Sequence, residues 1–385
     1  MIQFQGALSS KLPGIGDSIF AVMSKLAKEE NAINLSQGFP DFEVPADLIE
    51  LVHKYMKKGH NQYAPMPGYL PLKEKISDKI EKLYGTKYHP DKEITITAGA
   101  TQAIYTIISS IIKDGDEVII FEPAYDSYVP SIILNHGIPK YIKLKLPEYK
   151  INWDEVKKVI TYNTRMIIIN SPHNPSAAVL GPDDLKELER IVETRNIIVL
   201  SDEVYEHITF DGKQHQSVCK YPNLAQRSFA VFSFGKTYHA TGWKMGYVLA
   251  PEKLMAEFRK VFQFLMFTVF TPLQYAYCDY LEKEDHYLGL NTFYEHKRDV
   301  FVKGLKKSRF KIIPAHGTYF QCLDFSSISD EKDIDFAKRI TKEFKIASIP
   351  LSVFYHDKTD NKVLRFCFAK SEDTLNKASE ILCRI

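Results

Sequence analysis

Seven short runs dense in Ile, Val and Phe constrain this chain most: EITITAG (93–99), DEVIIFEP (116–123), KYIKLKL (140–146), RMIIINSP (165–172), NIIVLSDE (196–203), FAVFSFG (229–235) and MGYVLAP (245–251). In most of them the apolar residues follow one another instead of alternating with polar ones, which marks strands buried on both faces. Amphipathic stretches separate most of them. TQAIYTIISSIIKDG (101–115) reads as a helix with a glycine stop, and DDLKELERIVETR (183–195) as another. Strand–helix alternation of this kind predicts an α/β fold with a mostly parallel sheet of seven strands flanked by helices. The runs end in polar or turn residues: Gly99, Glu122, Asn170, Asp202 and Lys236. In open α/β sheets, ligands bind beyond those carboxyl ends.

The pattern changes near residue 275. Residues 275–308 read as a long helical region, followed by strand-like TYFQCLDF (318–325), KIASIPLS (345–352) and KVLRFCFA (362–369). This predicts a smaller α+β domain at 276–385, a large domain at 45–275, and an N-terminal arm at 1–44 that adds a short strand to the smaller domain. Within the helical region, DHYLGLNTFYEHKRD (285–299) reads as a solvated helix. The formal net charge of the 385 residues is +2, so no strong field draws the chain to nucleic acid. Five scattered cysteines without CxxC spacing suit free thiols in a reducing cytoplasm. The N-terminus lacks the apolar core of a signal peptide, and no apolar run approaches the ~18 residues of a membrane span.

SFGKTYHATGWKMGYV (233–248) poses a chemical question, because Gly235-Lys236-Thr237 resembles the end of a phosphate-binding loop. That loop needs a glycine five residues before Gly235, where Ala230 stands, and the intervening residues read as buried strand. A lysine at a strand end can instead bond covalently to a carbonyl compound. Pyridoxal 5′-phosphate needs such a lysine, an acid for its ring nitrogen and donors for its phosphate. Asp202 ends a strand in SDEVYEH; Tyr205 follows three residues later, and Asn174 lies in SPHNPS on a neighbouring strand end. Ala100 and Thr101 open a helix, whose N–H groups suit a phosphate. Ser233 and Lys244 complete a cradle, and Tyr125 could cover the ring. Asp202, Glu203, Glu206 and His207 could also be read as metal ligands, but their spacing matches no zinc signature.

NLSQGFPDF, NQYAPMPGY, SPHNPS, SDEVYEH, SFGKTYHATGWKMG and LRFCFAK together resemble the class I/II aminotransferases of pyridoxal-phosphate fold type I, in the kynurenine-aminotransferase-like branch. The resemblance runs from about residue 10 to the C-terminus. It implies that Lys236 carries the cofactor, Asp202 pairs with its ring nitrogen, and Tyr205 and Asn174 bind its phenolic oxygen. It further implies that Tyr125 stacks on the ring, and that Ala100, Thr101, Ser233 and Lys244 hold the phosphate. Tyr63 would reach the phosphate of the other subunit in a homodimer with shared sites. Arg365 would clamp the substrate carboxylate, assisted by Asn174 and Gly38, with Phe20 against the substrate side chain. Many members have arginine where Lys244 stands, and lysine lacks its two-pronged contact.

No second arginine falls in a matching motif. Phe20, Tyr63 and Phe354 form an aromatic side-chain wall in this reading, which predicts methionine or another apolar or aromatic amino acid as donor, ahead of aspartate and glutamate. The same apparatus serves C–S β-lyases acting on cysteine conjugates. A non-enzymatic sensor of this fold is a remoter alternative.

Overall fold

The computed structural model describes residues 1–385. All seven runs become strands of one sheet. Across the sheet their order is Ile94–Thr97, Gly246–Leu249, Ser228–Ser233, Ile198–Asp202, Thr164–Asn170, Glu117–Glu122 and Ile138–Lys143. Only Gly246–Leu249 runs against its neighbours. The pleat sends Ile119, Phe121, Ile167 and Ile169 to one apolar core and Val118, Ile120, Met166 and Ile168 to another. Both faces of these inner strands are therefore covered, which is why they lack polar alternation, whereas the edge strand Ile138–Lys143 leaves Ile138 and Lys143 exposed.

The helix expected at 101–115 spans Ala100–Ile111. It stops early because Ile112 is extended, while the Asp116 carboxylate accepts the Lys113 N–H at 2.9 Å and so competes with helical bonding. The helix Pro182–Glu193 buries Leu185, Leu188, Ile191 and Val192 on one stripe.

A second sheet orders Ile349–Pro350, Val363–Cys367, Phe320–Asp324 and Lys311–Ile312. KIASIPLS divides between two partners. Ile346–Ala347 pairs in parallel with Ile33–Asn34 of the N-terminal segment, and Ile349–Pro350 pairs with the strand carrying Arg365.

The stretch 285–299 is solvated on one face only. It forms Asp285–Leu288 and the start of Leu290–Gly304, and buries Tyr287, Leu290, Tyr294 and Lys297. Within Leu290–Gly304, spacings of four and three residues place Leu290, Tyr294 and Lys297 on one helical stripe. Tyr294 meets His239 Nδ1 at 3.0 Å, and Lys297 donates to the Lys370 carbonyl at 2.7 Å. All five cysteines are free. No helix is long and apolar enough to cross a membrane.

Candidate active site

The carboxyl end of the large sheet opens into a cavity of about 280 Å³, bounded on its other side by residues 37–39, Phe20, Phe320 and Arg365. Sheet register gathers the site. Asn170 lies beside Asp202, and Gly246 lies between Ser233 and Thr97. This places Ser233, Lys244 and the start of the helix Ala100–Ile111 around one part of the cavity.

That helix begins after Gly99, whose φ of 78° is a conformation glycine adopts without strain. A side chain at 99 would meet the Lys244 amine at 3.5 Å, and one at Gly246 would strike the Phe232 carbonyl. Backbone therefore lines this part, with the free N–H groups of a helix start available to an anion. Lys244 pairs with no carboxylate, and Thr101 Oγ1 stands 3.4 Å from the Tyr125 hydroxyl.

Lys236 lies in the short helix Phe234–Thr237, capped by Ser233, whose Oγ accepts the Lys236 N–H at 3.4 Å. Its Nζ donates to the Gly38 carbonyl at 3.1 Å and to the Tyr319 hydroxyl at 2.8 Å. Burial pushes the amine down to about 8, and the positive charges of Arg365 and Lys244 act in the same direction. Asp202 is 4% exposed. It accepts the Tyr128 hydroxyl at 2.6 Å, and burial pushes its carboxyl up to about 6.

Arg365 is 1% exposed. It donates to Asn174 Oδ1 at 2.6 Å and to the Ser36 carbonyl at 3.3 Å, and its guanidinium lies 3.9 Å from the Phe320 ring centroid. No carboxylate pairs with it. Tyr205 is buried, with its ring edge-on to Tyr319 at 5.1 Å.

The cavity thus brings together Lys236, Asp202, Tyr205, Asn174, Arg365, Gly38, Phe20, Tyr125, Ala100, Thr101, Ser233 and Lys244. Tyr63 stands apart: it is 81% exposed and packs against Phe267. Phe354 does not line the cavity but backs it, 6.0 Å from Phe20 and 5.3 Å from the Arg365 guanidinium.

The sequence reading assigns no role to three contributors. Asn170 donates to the Asp202 carbonyl at 2.9 Å and accepts the Asn174 N–H at 2.8 Å. Its signal was its place as the polar end of a strand. Tyr128 and Tyr319 carried no local signal, since each is one aromatic among many in an apolar context.

The family model for aminotransferase class I and II matches residues 30–382. A methionine aminotransferase of Escherichia coli is 49% identical over 374 residues, covering 97% of each chain. A kynurenine–oxoglutarate transaminase of Dictyostelium discoideum is 34% identical, covering 98% of this chain and 96% of its own. The crystal structure of an Escherichia coli protein with methionine aminotransferase function superposes with a TM-score of 0.96 at 47% identity, over 98% of this chain and 100% of that one. By sequence and by fold, this chain belongs to the class I and II aminotransferases and is a transaminase dependent on pyridoxal 5′-phosphate.

Proposed function

We propose that the enzyme takes the amino group from an apolar, aromatic or sulfur-containing L-amino acid, methionine foremost, and passes it to a 2-oxo acid. Arg365 carries this reading. A guanidinium removed from water with only neutral partners is costly unless an anion reaches it. An α-carboxylate is a planar anion that matches its fork.

The donor set suits the cofactor. The N–H groups of Ala100 and Thr101, Ser233 Oγ and the Lys244 amine would hold a phosphate dianion. Asp202 would face the ring nitrogen, Tyr205 and Asn174 the phenolic oxygen, and Tyr125 one face of the ring. When bound, the cofactor would supply an aldehyde for the substrate amine and a ring that accepts electron density from Cα.

The remaining work falls to protein groups. Arg365 and Asn174 would fix the carboxylate and so set which bond at Cα faces Lys236. Freed of the cofactor, an amine near 8 is a competent base at neutral pH. Its Nζ would take the Cα proton and hold it for return within the same half-reaction. Asp202 would keep the ring nitrogen protonated, with Tyr128 favouring its ionised form. The second half, with a 2-oxo acid, reverses these roles and gives ping-pong kinetics.

Phe20, Phe39 and Phe320 line the cavity, and Arg365 is its one arginine. An unpaired side-chain carboxylate there would lose several kcal/mol, whereas burying a thioether gains about 1.5–3 kcal/mol. The name of the Escherichia coli relative supports the same choice. Exposed Tyr63 packs against exposed Phe267 and shares a surface hollow with exposed Phe270, which supports a homodimer in which it serves the partner's phosphate. The unpaired thiols support a cytoplasmic location. The test compares kcat/KM for methionine and aspartate with one 2-oxo acid. Methionine should lead by tenfold or more; an equal lead for aspartate overturns the apolar reading.

A further inference from the structure

Both oxygens that hold Lys236 act as acceptors. Tyr319 has one hydroxyl proton, and it goes to the Gly38 carbonyl at 2.6 Å. The Tyr319 oxygen can therefore serve Nζ only by accepting, as the Gly38 carbonyl must. The short distance between these oxygens puts them on the same side of Nζ. Lys236 lines the cavity and Tyr319 does not, so the hydroxyl approaches the amine from the protein interior. A neutral amine has two N–H bonds and one lone pair. Drawing both N–H bonds toward these oxygens leaves the lone pair turned away from them.

We propose that Tyr319 is a positioning residue that, together with the Gly38 carbonyl, aims the Lys236 lone pair into the cavity, so that the transferred proton follows one fixed line. This rests on the reading of Lys236 as the base.

The two oxygens are themselves held. Tyr319 is fully buried, its carbonyl accepts the Phe368 N–H at 2.9 Å, and its ring is packed by Tyr205, Phe320 and Tyr294. Gly38 sits so close to Phe320 that a side chain would meet the ring at 2.9 Å. Burial holds the Tyr319 hydroxyl well above its usual range, so it keeps its proton at working pH. The ionisable groups facing the amine are Asp202, Cys367, Arg365, Lys244 and Tyr205. None of these hydrogen-bonds to it, so Tyr319 and Gly38 alone set its direction.

Tyr319→Phe retains the ring and removes the acceptor. In cofactor-free protein, labelling of Lys236 by fluorodinitrobenzene, followed by peptide mass spectrometry across pH, reports the amine directly. Its apparent pKa should fall by about half a unit, because the ammonium form loses an acceptor. In the loaded enzyme, kcat for methionine should fall about tenfold with KM changed less than twofold, and the Cα-deuterium isotope effect should rise.

An unmoved labelling profile overturns the hydrogen bond, and an unmoved isotope effect overturns the positioning role. Loss of kcat with a parallel rise in KM also overturns it, since that is the mark of general packing damage. If Tyr319→Phe does not fold, 3-fluorotyrosine at 319 keeps the hydroxyl but weakens it as an acceptor. It should then move both readouts in the same directions by less, and no movement in either counts against the proposal. A fully active Lys236→Ala enzyme would instead sink the reading of Lys236 as base, whatever the labelling shows.

Discussion

Two buried lysines in this molecule are handled in opposite ways. Lys79, on the helix Leu70–Tyr84, lies 2.5 Å from Glu206 Oε1 and 3.1 Å from the Tyr247 hydroxyl. Lys236 meets only neutral oxygens. The arginines repeat the contrast: Arg298 pairs with Asp211, Glu295 and Asp299, and Arg365 with no acid. One motif, SDEVYEH, straddles the two settings. Asp202 and Tyr205 line the cavity. Glu206 takes Lys79 and the Tyr84 hydroxyl, while Glu203 accepts from Ser201 at 2.7 Å, contacts His215 at 2.8 Å and accepts the Val218 N–H. Behind the turn, charges close on one another and hold the loop. In the cavity, cations are left open, which a fold sustains where a ligand supplies the missing charge.

The largest expected effect falls on the open lysine. Lys236→Ala should lower kcat by about 10⁴-fold, the upper range for a positioned base, and should remove the visible band of the loaded enzyme. Lys79→Met should leave that band in place. A band surviving Lys236→Ala, reducible by borohydride onto another lysine, would move the site elsewhere.

On stability the order reverses. Lys79→Met strands Glu206 and should cost roughly 3–5 kcal/mol in urea unfolding, much of it recovered in the double variant with Glu206→Gln. Arg365→Met strands no carboxylate and should change stability by only about 1 kcal/mol. It should instead lower kcat/KM by roughly 10- to 150-fold, the loss of a charged contact worth about 1.5–3 kcal/mol. The contrast collapses if Arg365→Met unfolds the chain as Lys79→Met does while substrate use is unchanged.

This contrast also marks where the sequence becomes opaque. Strand runs such as RMIIINSP are legible because a doubly covered sheet demands continuous apolar residues, and their polar ends point to Asn170, Asp202 and Lys236. Motif resemblance supplies Arg365, which in isolation is one arginine in an alternating strand. Nothing local reveals that Glu206 turns away from the cavity, because its partners Lys79 and Tyr84 lie on a helix more than a hundred residues earlier in the chain, whereas Glu203 turns to Ser201, His215 and the Val218 N–H nearby in sequence. Tyr128 and Tyr319 are hidden for the same reason, since their hydroxyls act on residues far away in sequence. The burial of Tyr294 and Lys297 is not legible, because a stripe of tyrosine and lysine reads as amphipathic surface until its neighbour is known.

The smallest effect concerns two carboxyls four residues apart that shift in opposite directions. Burial alone would raise both. At Glu206, His207 and Lys79 overcome it and hold the carboxyl well below its ordinary range. At Asp202, Tyr128, the Val204 N–H and Lys236 do not, and the carboxyl stands at about 6. In cofactor-free protein the folded state therefore binds a proton at Asp202 that the unfolded chain, with an ordinary carboxyl near 4, has already lost. Stability at this position falls as pH rises from about 4 to 6, and the deficit is complete above 6. Asp202→Asn removes the titration, so its stability relative to the parent should improve by on the order of 2 kcal/mol between pH 4.5 and 7. A ring-nitrogen cation would supply the charge that Asp202 lacks, so cofactor should stabilise the parent more at pH 7 than at pH 5 and should show no such gain in the Asn variant. Urea titrations of both proteins at the two pH values, with and without cofactor, check this. A parent–variant gap that does not move with pH would mean that Asp202 is as well paired in the folded chain as Glu206 is, and that the carboxylate side of the cavity is closed.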